Sequence, residues 1–600
     1  MYRMTKRSIT THSEDRLNLG GNNEKRLCKP NNDTISTEKM SRREKEQVLV
    51  DVIIPVHDAS ETIKETVESA LSQIIPEHLR DALAPYQVDV AVCCHDDASK
   101  DNSLAILQQL QQELRKQKSH LHTSNKSQNK LCNSPHFFIG KSENEISRGA
   151  GYARNQAVAL RTKSNSLSSQ TFHFLCLLDS DDIMKPNRIA EQLFYFLSIP
   201  KQEDRDRILL GTTFVRDPPD STWHYSSWAN QLTDERLFLE KFREVTILQP
   251  TWMMTKSRFQ MLGGYIEAPL SATLSDTDAN ISTKHNQPYK LIHPIHDTPQ
   301  TLRLAEDLRL FHAHLSFTSQ IEISSSNSSD DQAHSNNYMI QSEEYKGGLV
   351  RLLRTSNPLL VYRHRKGMSQ SASTPRKLLL QLRAKAFEDT IIIPRSNPDL
   401  GNKNKLKQIS WEKFAIWGAG RDGKDFFKAL SPETRKRVIC FVDVDWRKIE
   451  NTKFYVNNEI NAKVPILHFS DLAVDHHVRK KWEKERHVSK STSGKKHGGS
   501  HIFPFGNITK EKSDINLFTP KTTSKESKSY NGASTSIETT SLKTSGNNDA
   551  LSVDEKVIDL ISLSIVPVVV CVAMYRTNGV LEANVESIGR QEGRNLWHFS

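Results

Sequence analysis

Three aspartates, Asp179, Asp181 and Asp182, lie within four residues, directly after the apolar run 172–178. Carboxylates at this spacing repel one another unless a cation lies among them. The apolar run predicts a buried strand of a parallel sheet, and ligands of such sheets bind beyond the carboxyl ends of the strands. A hard divalent cation takes oxygen ligands from one or two carboxylates and from substrate phosphates. The segment therefore predicts a Mn²⁺ or Mg²⁺ site for a nucleotide diphosphate, and the alternative is a polar turn that caps the next helix.

Two upstream segments supply strands that would bring further polar side chains to the same edge. Residues 49–58 form an apolar run that ends in a turn with Pro55 and Asp58. Residues 86–101 form a second apolar run, which breaks into an acidic turn containing Asp97. The stretch between the two runs has apolar residues at helical spacing, so the pattern predicts a βαβ unit.

A fourth segment begins with glycines at 149 and 151 and continues into a helix that carries Arg154. In this order, the four segments resemble an inverting family 2 glycosyltransferase of the GT-A fold. The resemblance implies that Asp97 holds the uracil ring, that Arg154 lies against the nucleotide, and that the donor is a UDP-sugar. It further implies the contacts Pro55 and Asp58 with the donor, Asp179 with the ribose, and Asp179 and Asp181 with the metal. The family usually has asparagine where this chain has Asp58.

The candidate for the catalytic base is the acidic pair Glu306-Asp307, which precedes an apparent helix. In the family that this chain resembles, an acidic pair at a helix start removes the proton of the acceptor hydroxyl. Proton removal must coincide with attack, so the base has to lie within hydrogen-bond reach of the acceptor. The resemblance assigns Asp307 as the base and Glu306 as a contact of the acceptor. The alternative is an aspartate in a helix first turn that the helix dipole stabilises.

Residues 360–369 resemble the segment that closes these catalytic domains, in which a residue near the diphosphate or the metal follows Tyr-Arg. The family usually has histidine one position later than His364, where this chain has Arg365. Either His364 reaches the metal and pyrophosphate, or Arg365 neutralises the pyrophosphate instead.

Further segments narrow the resemblance to family 2 enzymes that galactosylate queuosine in transfer RNA. They are residues 216–222, 228–233, 249–252 and 597–600, and they include Trp252, which we expect to bind substrate. The resemblance covers roughly two thirds of the chain and implies UDP-galactose as the donor and queuosine-containing tRNA as the acceptor. The formal net charge of +11 is compatible with a polyanionic partner, but solvated basic tails are the favoured explanation, so the tRNA assignment rests on the resemblance and not on charge.

Residues 413–469 carry a second nucleotide-like pattern. An apolar run leads into Gly418, Gly420 and Gly423, and a second run ends at Asp443, which is the spacing of a dinucleotide fingerprint. The unit is short, and we find no separate substrate site that hydride chemistry would need. We therefore expect a Rossmann-like module that keeps its glycine turn for packing or docks the tRNA, and we favour this over NAD binding.

Composition predicts a chain that mixes folded parts with unstructured segments. The chain has 600 residues with 36% hydrophobic residues and a mean hydropathy of −0.58. We expect an α/β protein with a GT-A (Rossmann-like) glycosyltransferase domain over 47–395 and a small Rossmann-like α/β domain over 410–600. Polar stretches that bury too little to offset ordering entropy should be a disordered tail and insertions, at 1–46, 271–299, 324–337 and 479–554.

The apolar runs and the cysteines of the sequence predict the cellular location of the protein. No secretory signal is visible, and the run 561–574 is too short and too interrupted by proline to span a bilayer. Seven cysteines without framework spacing suggest reduced thiols. We therefore expect a cytoplasmic protein that does not bind a membrane.

Three other functions fit parts of the same sequence. A transferase that uses UDP-N-acetylglucosamine on a glycan or a protein would share every motif. A non-catalytic nucleotide-sugar-binding protein would bind UDP without needing Asp307. An NAD-dependent oxidoreductase would bind its cofactor through Gly418 and Gly420.

Overall fold

A computed structural model describes most of the chain outside the long polar stretches. The described residues are 45–120, 129–132, 134–161, 171–267, 299–316, 347–364, 374–393, 411–475, 477–484, 563–572 and 579–599. From Glu46 onward they belong to one compact unit. The unit contains three sheets with helices packed against them, which confirms the α/β class.

The largest sheet has seven strands in the order β3-β2-β1-β4-β8-β6-β9. The first four of these pair in parallel, and β8 runs antiparallel to both β4 and β6. Its strands are β1 Glu46–Val56, β2 Tyr86–Asp96, β3 His136–Lys141, β4 Phe172–Leu177, β6 Ile208–Thr212, β8 Met253–Thr255 and β9 Leu349–Leu353. A three-stranded sheet in the order β5-β10-β7 comprises β5 Ile183–Met184, β7 Phe214–Asp217 and β10 Leu360–Arg363.

The third sheet lies in the C-terminal part of the chain and has six strands in the order β13-β14-β12-β11-β15-β16. All of its pairs are parallel except β13 with β14. The strands are β11 Phe414–Trp417, β12 Val438–Asp443, β13 Phe454–Asn457, β14 Ala462–His468, β15 Val568–Val570 and β16 Leu596–His598.

Helices connect these strands and cover the sheets. In chain order they are α1 Ile63–Leu71, α2 Arg80–Leu83, α3 Ser103–His120, α4 Ala150–Ala159, α5 Arg188–Leu197, α6 Gln202–Asp206, α7 Trp223–Gln231, α8 Asp234–Leu239, α9 Lys256–Met261, α10 Pro299–Leu302, α11 Glu306–Ser316, α12 Arg376–Phe387, α13 Arg421–Ala429, α14 Pro432–Arg435, α15 Trp446–Asn451, α16 477–484 and α17 Val580–Ser587. None of the described helices is long and apolar enough to cross a membrane.

The β1-α1-β2 unit forms as the sequence pattern predicts. Strand β1 is buried along most of its length because helices cover both faces of the sheet, which is why its sequence is apolar without alternation. Helix α1 buries Ile63, Val67 and Ala70 on one face, at spacings that place them along one side of a helix. Strand β2 then runs parallel to β1, with Val56 opposite Asp96 at their carboxyl ends.

The glycine turn of the third sheet is explained by packing. Gly418 has φ +115°, and a Cβ there would lie 2.8 Å from Val572 at the end of β15. A Cβ on Gly423 would lie 1.9 Å from the carbonyl oxygen of Gly418, so only glycine lets α13 begin this close to β11. Asp443 accepts a hydrogen bond from the backbone N–H of Ala419 and lies 3.3 Å from Lys448 Nζ.

Three boundaries predicted from sequence differ from the structure or fall outside it. Helix α16 shows that the polar block begins later than residue 479, because Trp482 packs 5.1 Å from the ring of Phe469 and Arg479 donates to Ala473 O. The rest of that block, the tail before residue 45, and the insertions 271–298 and 324–337 lie outside the described residues. The domain boundaries 47–395 and 410–600 stay predictions.

A buried charge cluster surrounds Asp51 and connects β1 with β4, with α9 and with Arg161, just after α4. Asp51, in the middle of β1, has no exposed surface. Its carboxylate lies 2.7 Å from His173 Nε2, 3.1 Å from Arg161 Nη1 and 3.3 Å from Lys256 Nζ. Burial opposes its ionisation, but the hydrogen bond with His173 and the cations Lys256 and Arg161 outweigh burial and hold its pKa below the usual value.

We expect Asp51→Ala to lower the free energy of unfolding by about 3–5 kcal/mol, because removing one partner leaves charges without compensation in a buried cluster. Asp89 is the matched control, since it also pairs with Arg161 but is partly exposed, and Asp89→Ala should cost about 0–1 kcal/mol. The measurement is the midpoint of urea unfolding at pH 7. Equal midpoints for the two variants would show that the Asp51 cluster contributes no more than a surface pair.

Candidate active site

The turns after β1, β2 and β4 come together because the carboxyl ends of parallel strands share one edge of the sheet. The turn after β1 is shaped by Asp58, which has φ +47° and accepts a hydrogen bond from Lys100 N at 2.7 Å. Its own N–H donates to Ser99 Oγ in the turn after β2. Pro55 is buried in β1, opposite His95 of β2. Asp58 therefore holds the first two turns together.

Asp97 is the anchor of the loop that precedes α4. Its Oδ2 accepts hydrogen bonds from Ser147 Oγ at 2.7 Å and from the backbone N–H groups of Arg148 and Gly149 at 2.8 and 2.7 Å. Its Oδ1 accepts a fourth from Ser142 Oγ at 3.0 Å. A uracil N–H that binds Asp97 would compete with these donors for the same two oxygen atoms.

The three aspartates after β4 occupy different environments. Asp179 is partly exposed, whereas Asp182 has no exposed surface. Asp182 Oδ1 accepts a hydrogen bond from Arg363 N at 3.0 Å, and its Oδ2 has no partner among the described residues. Burial, together with the charges of Asp179 and Asp181, raises the pKa of Asp182 well above its usual value. A cation among the three carboxylates would relieve this repulsion, so their chemistry fits a hard divalent cation.

No group of three metal-ligating side chains is already assembled in the part of the chain that the structure describes. His364 follows β10, where its backbone N–H donates to Asp217 O at 2.8 Å, and Arg365 lies outside the described residues. A metal that bridges a diphosphate needs only one or two carboxylates, because phosphates and waters complete its coordination. Asp179 and Asp181 suffice for that arrangement.

Arg154 connects the aspartates to the acidic pair. Its Nη2 lies 2.6 Å from Asp179 Oδ1, and its Nη1 lies 2.8 Å from Glu306 Oε1. The guanidinium is almost wholly buried, and its pKa is raised by Asp179 and Glu306 against the opposing effect of burial. Helix α4 reaches Glu306 because Gly151 has no side chain: a Cβ there would lie 3.3 Å from Glu306 Cβ. Residues that are 152 positions apart in sequence thus share one ion-pair network.

Asp307 lies at the start of α11, directly after Glu306. The chain enters this helix through Ala305, whose φ of +55° is unusual for a residue with a side chain. Burial raises the pKa of Asp307 to about 7, and the charges of Glu306 and Glu244 act in the same direction. A carboxyl group that titrates near neutrality can both accept and release a proton, as a general base must.

Trp252 has a different environment from the one expected. The ring has no exposed surface, its Nε1 donates to Ile247 O, and it stacks 6.3 Å from Phe311 of α11. In this structure Trp252 presents no surface to a substrate and packs behind the helix that carries Asp307. Its expected contact with substrate stays a prediction that would need the ring to move.

Sequence reasoning missed four side chains near the two acidic groups. Tyr362 lies close enough to Asp182 and Asp179 for their charges to raise its pKa, in addition to burial. Tyr225 is partly buried, and the charges of Glu244 and Asp307 raise its pKa in addition to burial. Arg216 packs against the Tyr362 ring, with its guanidinium carbon 4.2 Å from the ring centroid. Among these residues, Arg216 and Tyr362 lie in segments that the sequence analysis names, 216–222 and 360–369, and no role was predicted for either.

Comparison with known sequences finds a family match over the part of the chain that contains these turns. Residues 51–261 match the family described as "Glycosyl transferase family 2". The matched stretch is similar to that family and covers less than half of the chain. The matched range includes Pro55, Asp58, Asp97, Arg154, Asp179, Asp181 and Trp252, whereas the acidic pair and the C-terminal sheet lie beyond it.

Solved structures show only distant likeness to this chain. The S. aureus TarS fragment 1-349 in complex with UDP-GlcNAc is 14% identical, with a TM-score of 0.32, over 74% of this chain and 91% of that one. The same fragment in complex with UDP is 14% identical, with a TM-score of 0.31, over 65% of this chain and 83% of that one. The mannosyltransferase PcManGT from Pyrobaculum calidifontis, in complex with GDP-Man and Mn2+, is 12% identical, with a TM-score of 0.28. The match covers 58% of this chain and 65% of that one. These scores support no inference about the ligands of this chain.

The raised pKa of Asp307 predicts how the stability of the folded chain depends on pH. An aspartate titrates near 4 in the unfolded chain and at about 7 here, so the folded state binds the proton more tightly between these values. Its contribution to stability is therefore lost as pH rises from about 4 to 7. Asp307→Asn cannot ionise, so its unfolding midpoint should exceed that of wild type more at pH 8 than at pH 5. A constant difference between the two pH values would contradict the raised pKa.

Proposed function

We propose that this protein is an inverting glycosyltransferase that moves galactose from UDP-galactose to queuosine in the anticodon of a tRNA, in the cytosol. The observation that carries the transferase proposal is the Arg154 network, which begins in the stretch that matches family 2 glycosyltransferases and ends at Glu306 beyond that stretch. One guanidinium joins Asp179, on the predicted nucleotide side, to Glu306, which adjoins a carboxyl group that titrates near neutrality. This link supports a donor site and an acceptor site that adjoin each other.

The proposed reaction uses Asp307 as the base. As the acceptor hydroxyl oxygen attacks C1 of the sugar, its proton passes to the Asp307 carboxylate, which must be ionised beforehand. The bond between C1 and the diphosphate oxygen breaks, its electron pair stays on UDP, and the configuration at C1 inverts. Glu306, held by Arg154, contacts the acceptor from the adjacent position.

On the donor side, Asp97 would hold the uracil ring, with Asp58 and Pro55 in the neighbouring turn, and Asp179 would hold the ribose. Asp181 and Asp179, with His364 as a further candidate, would hold the divalent cation. When bound, that cation would supply positive charge for the developing negative charge on the diphosphate. Buried cations near the leaving group act more strongly than they would in water.

The identities of the sugar and the acceptor are supported by sequence resemblance in the segments 216–222, 228–233, 249–252 and 597–600. UDP-galactose and UDP-N-acetylglucosamine present the same diphosphate and nucleoside, so the described site serves either donor. A transferase that acts on a glycan or a protein with UDP-N-acetylglucosamine therefore remains the second candidate. A nucleotide-sugar-binding protein without activity is the third, and a base that titrates near neutrality favours an enzyme over it.

The test is incubation of the purified full chain with queuosine-containing tRNA and a panel of UDP-sugars, followed by mass spectrometry of the nucleosides. We expect a hexose added to queuosine only with UDP-galactose. The rate should rise with pH up to about 7, as Asp307 ionises, and then level off. Asp307→Asn should lower single-turnover transfer by about 10²- to 10⁴-fold while donor affinity is retained. If only UDP-N-acetylglucosamine supports transfer to queuosine, the proposed donor is wrong. If no tRNA is modified with any UDP-sugar, the proposed acceptor is wrong.

A second prediction concerns the cation. Transfer should require Mn²⁺ or Mg²⁺, and Asp181→Asn should weaken binding of Mn²⁺ in the presence of UDP by about tenfold or more, because an amide is a weaker ligand than a carboxylate. Mn²⁺ binding followed by electron paramagnetic resonance measures this without turnover. Asp204→Asn, an exposed aspartate of α6, is the control that should leave binding unchanged. Full turnover in excess chelator would contradict a metal-dependent reaction.

A further inference from the structure

Arg216 is a buried cation in the small sheet that adjoins the three aspartates. It lies in β7, directly opposite Tyr362 of β10, and β10 in turn pairs with β5, which begins at Ile183. Only 8% of the residue is exposed. The sheet thus holds this guanidinium within the protein, one strand away from the segment that ends in Asp182.

The hydrogen bonds of Arg216 are incomplete. Its Nε donates to Ser221 O at 3.3 Å, and the guanidinium carbon lies 4.2 Å from the centroid of the Tyr362 ring. Its Nη1 is buried and has no hydrogen-bond partner, and none of the described carboxylates forms a salt bridge with it. A buried charge without a counter-ion is costly, and most such groups are satisfied by a protein partner, water or ligand. An anion at Nη1 would complete this site.

The surroundings of Arg216 indicate where such an anion would lie. On one side, Tyr362 is within electrostatic range of Asp179, Asp181 and Asp182. On the other side, Tyr225 is within range of Asp307 and Glu244, and Arg216 opposes their effect on it. Phe214, on the same strand as Arg216, packs against both tyrosine rings, 6.2 Å from Tyr225 and 5.9 Å from Tyr362. Arg216 thus neighbours two tyrosines, one near the predicted cation site and the other near the predicted base. A diphosphate bound by the cation and attacked from the side of the base would lie near both.

We propose that Arg216 binds a phosphate group, and that in the transfer reaction this group is the diphosphate of the donor. This assignment to the donor rests on the proposed function, whereas phosphate binding itself does not. Arginine suits the role because its planar N–H groups match phosphate oxygens and it remains charged at every relevant pH. Stacking on Tyr362 fixes the plane of the guanidinium before the ligand arrives.

Arg216 would then act as a catalytic residue on the leaving group. When C1 accepts the acceptor oxygen and the bond to the diphosphate breaks, the electron pair remains on the terminal phosphate oxygen of UDP. Negative charge on that phosphate increases during the step, and an N–H of Arg216 would donate a hydrogen bond to it. A donor placed beforehand at a developing charge typically accelerates a reaction by about 10²- to 10³-fold.

The first test uses thermal unfolding of the full chain with inorganic pyrophosphate and Mn²⁺, with UDP and Mn²⁺, and with a single-stranded RNA oligonucleotide. Arg216→Met should leave the melting temperature of the ligand-free protein unchanged or raised, because an apolar side chain replaces an uncompensated charge. The stabilisation by pyrophosphate and by UDP should fall, with dissociation constants raised about tenfold or more. Arg351→Met is the control, since Arg351 is partly exposed on β9 and lies 3.7 Å from Asp234.

The outcomes separate the sources of the phosphate. Loss of the pyrophosphate and UDP responses supports the donor diphosphate. Loss of the RNA response alone supports phosphate binding at Arg216 but assigns it to the acceptor. A lower melting temperature with unchanged ligand responses would show that Arg216 is structural and would overturn the proposal. If wild type responds to pyrophosphate but transfers no sugar, the proposed function fails while the pyrophosphate comparison still decides the role of Arg216.

The second test measures the chemical step. In single-turnover transfer at saturating donor, Arg216→Met should lower the rate by about 10²- to 10³-fold. Arg216→Lys, which keeps the charge but loses the planar arrangement of donors, should recover part of that loss. Equal rates for wild type and Arg216→Met at saturating donor, with unchanged donor affinity, would also overturn the proposal.

Discussion

The ion-pair bridge made by Arg154 is the interaction on which the candidate active site depends. Asp179 and Glu306 belong to elements that are far apart in sequence, and one buried guanidinium holds both of them within 2.8 Å. A buried arginine is tolerated because each of its terminal nitrogens has a carboxylate partner, whereas removal of either partner would leave an uncompensated charge. Arg303, just before α11, adds a second link by donating to Ser147 O at 2.8 Å. The absence of a side chain at Gly151 makes room for this approach, because a Cβ there would lie 3.1 Å from Tyr265 Cβ and 3.3 Å from Glu306 Cβ.

Acidic groups surround this bridge, and their number exceeds that of the cations that pair with them. Asp182 and Asp307 both have raised pKa values because burial and neighbouring carboxylates disfavour their ionised forms. The same repulsion that a divalent cation would relieve on one side gives Asp307 a pKa suited to proton transfer on the other. Arg216 adds positive charge beside tyrosines that lie near the two groups, and it pairs with neither group. The charge distribution is thus suited to a ligand that brings both a cation and phosphates.

Local sequence predicted the parts of the site that lie on single elements. The apolar runs predicted β1, β2 and β4, and the turns after them contain Asp58, Asp97 and Asp179 as expected, because strand and turn preferences are local. The pairing of Arg154 with Glu306 could not be predicted, since it depends on a contact across 152 residues. Arg216 was missed for the same reason, because its contact with Tyr362 forms only when β10 pairs with β7. Burial of Trp252 and helix α16 likewise result from tertiary packing, which overrides local pattern.

The C-terminal sheet contributes to the position of the base through aromatic packing. Trp597 of β16 lies 5.4 Å from Phe242, and Phe242 stacks 5.9 Å from His312 on α11, the helix that begins with the acidic pair. Burial lowers the pKa of His312 to about 3, so this ring stays neutral and packs as an aromatic side chain. Arg236 of α8 reinforces the contact by its ion pair with Glu592, 2.6 Å away. Because well-packed interiors transmit displacement, a shift of β16 would move Phe242 and then α11. The C-terminal sheet therefore packs, through its last strand and Phe242, against the helix that begins with Glu306 and Asp307.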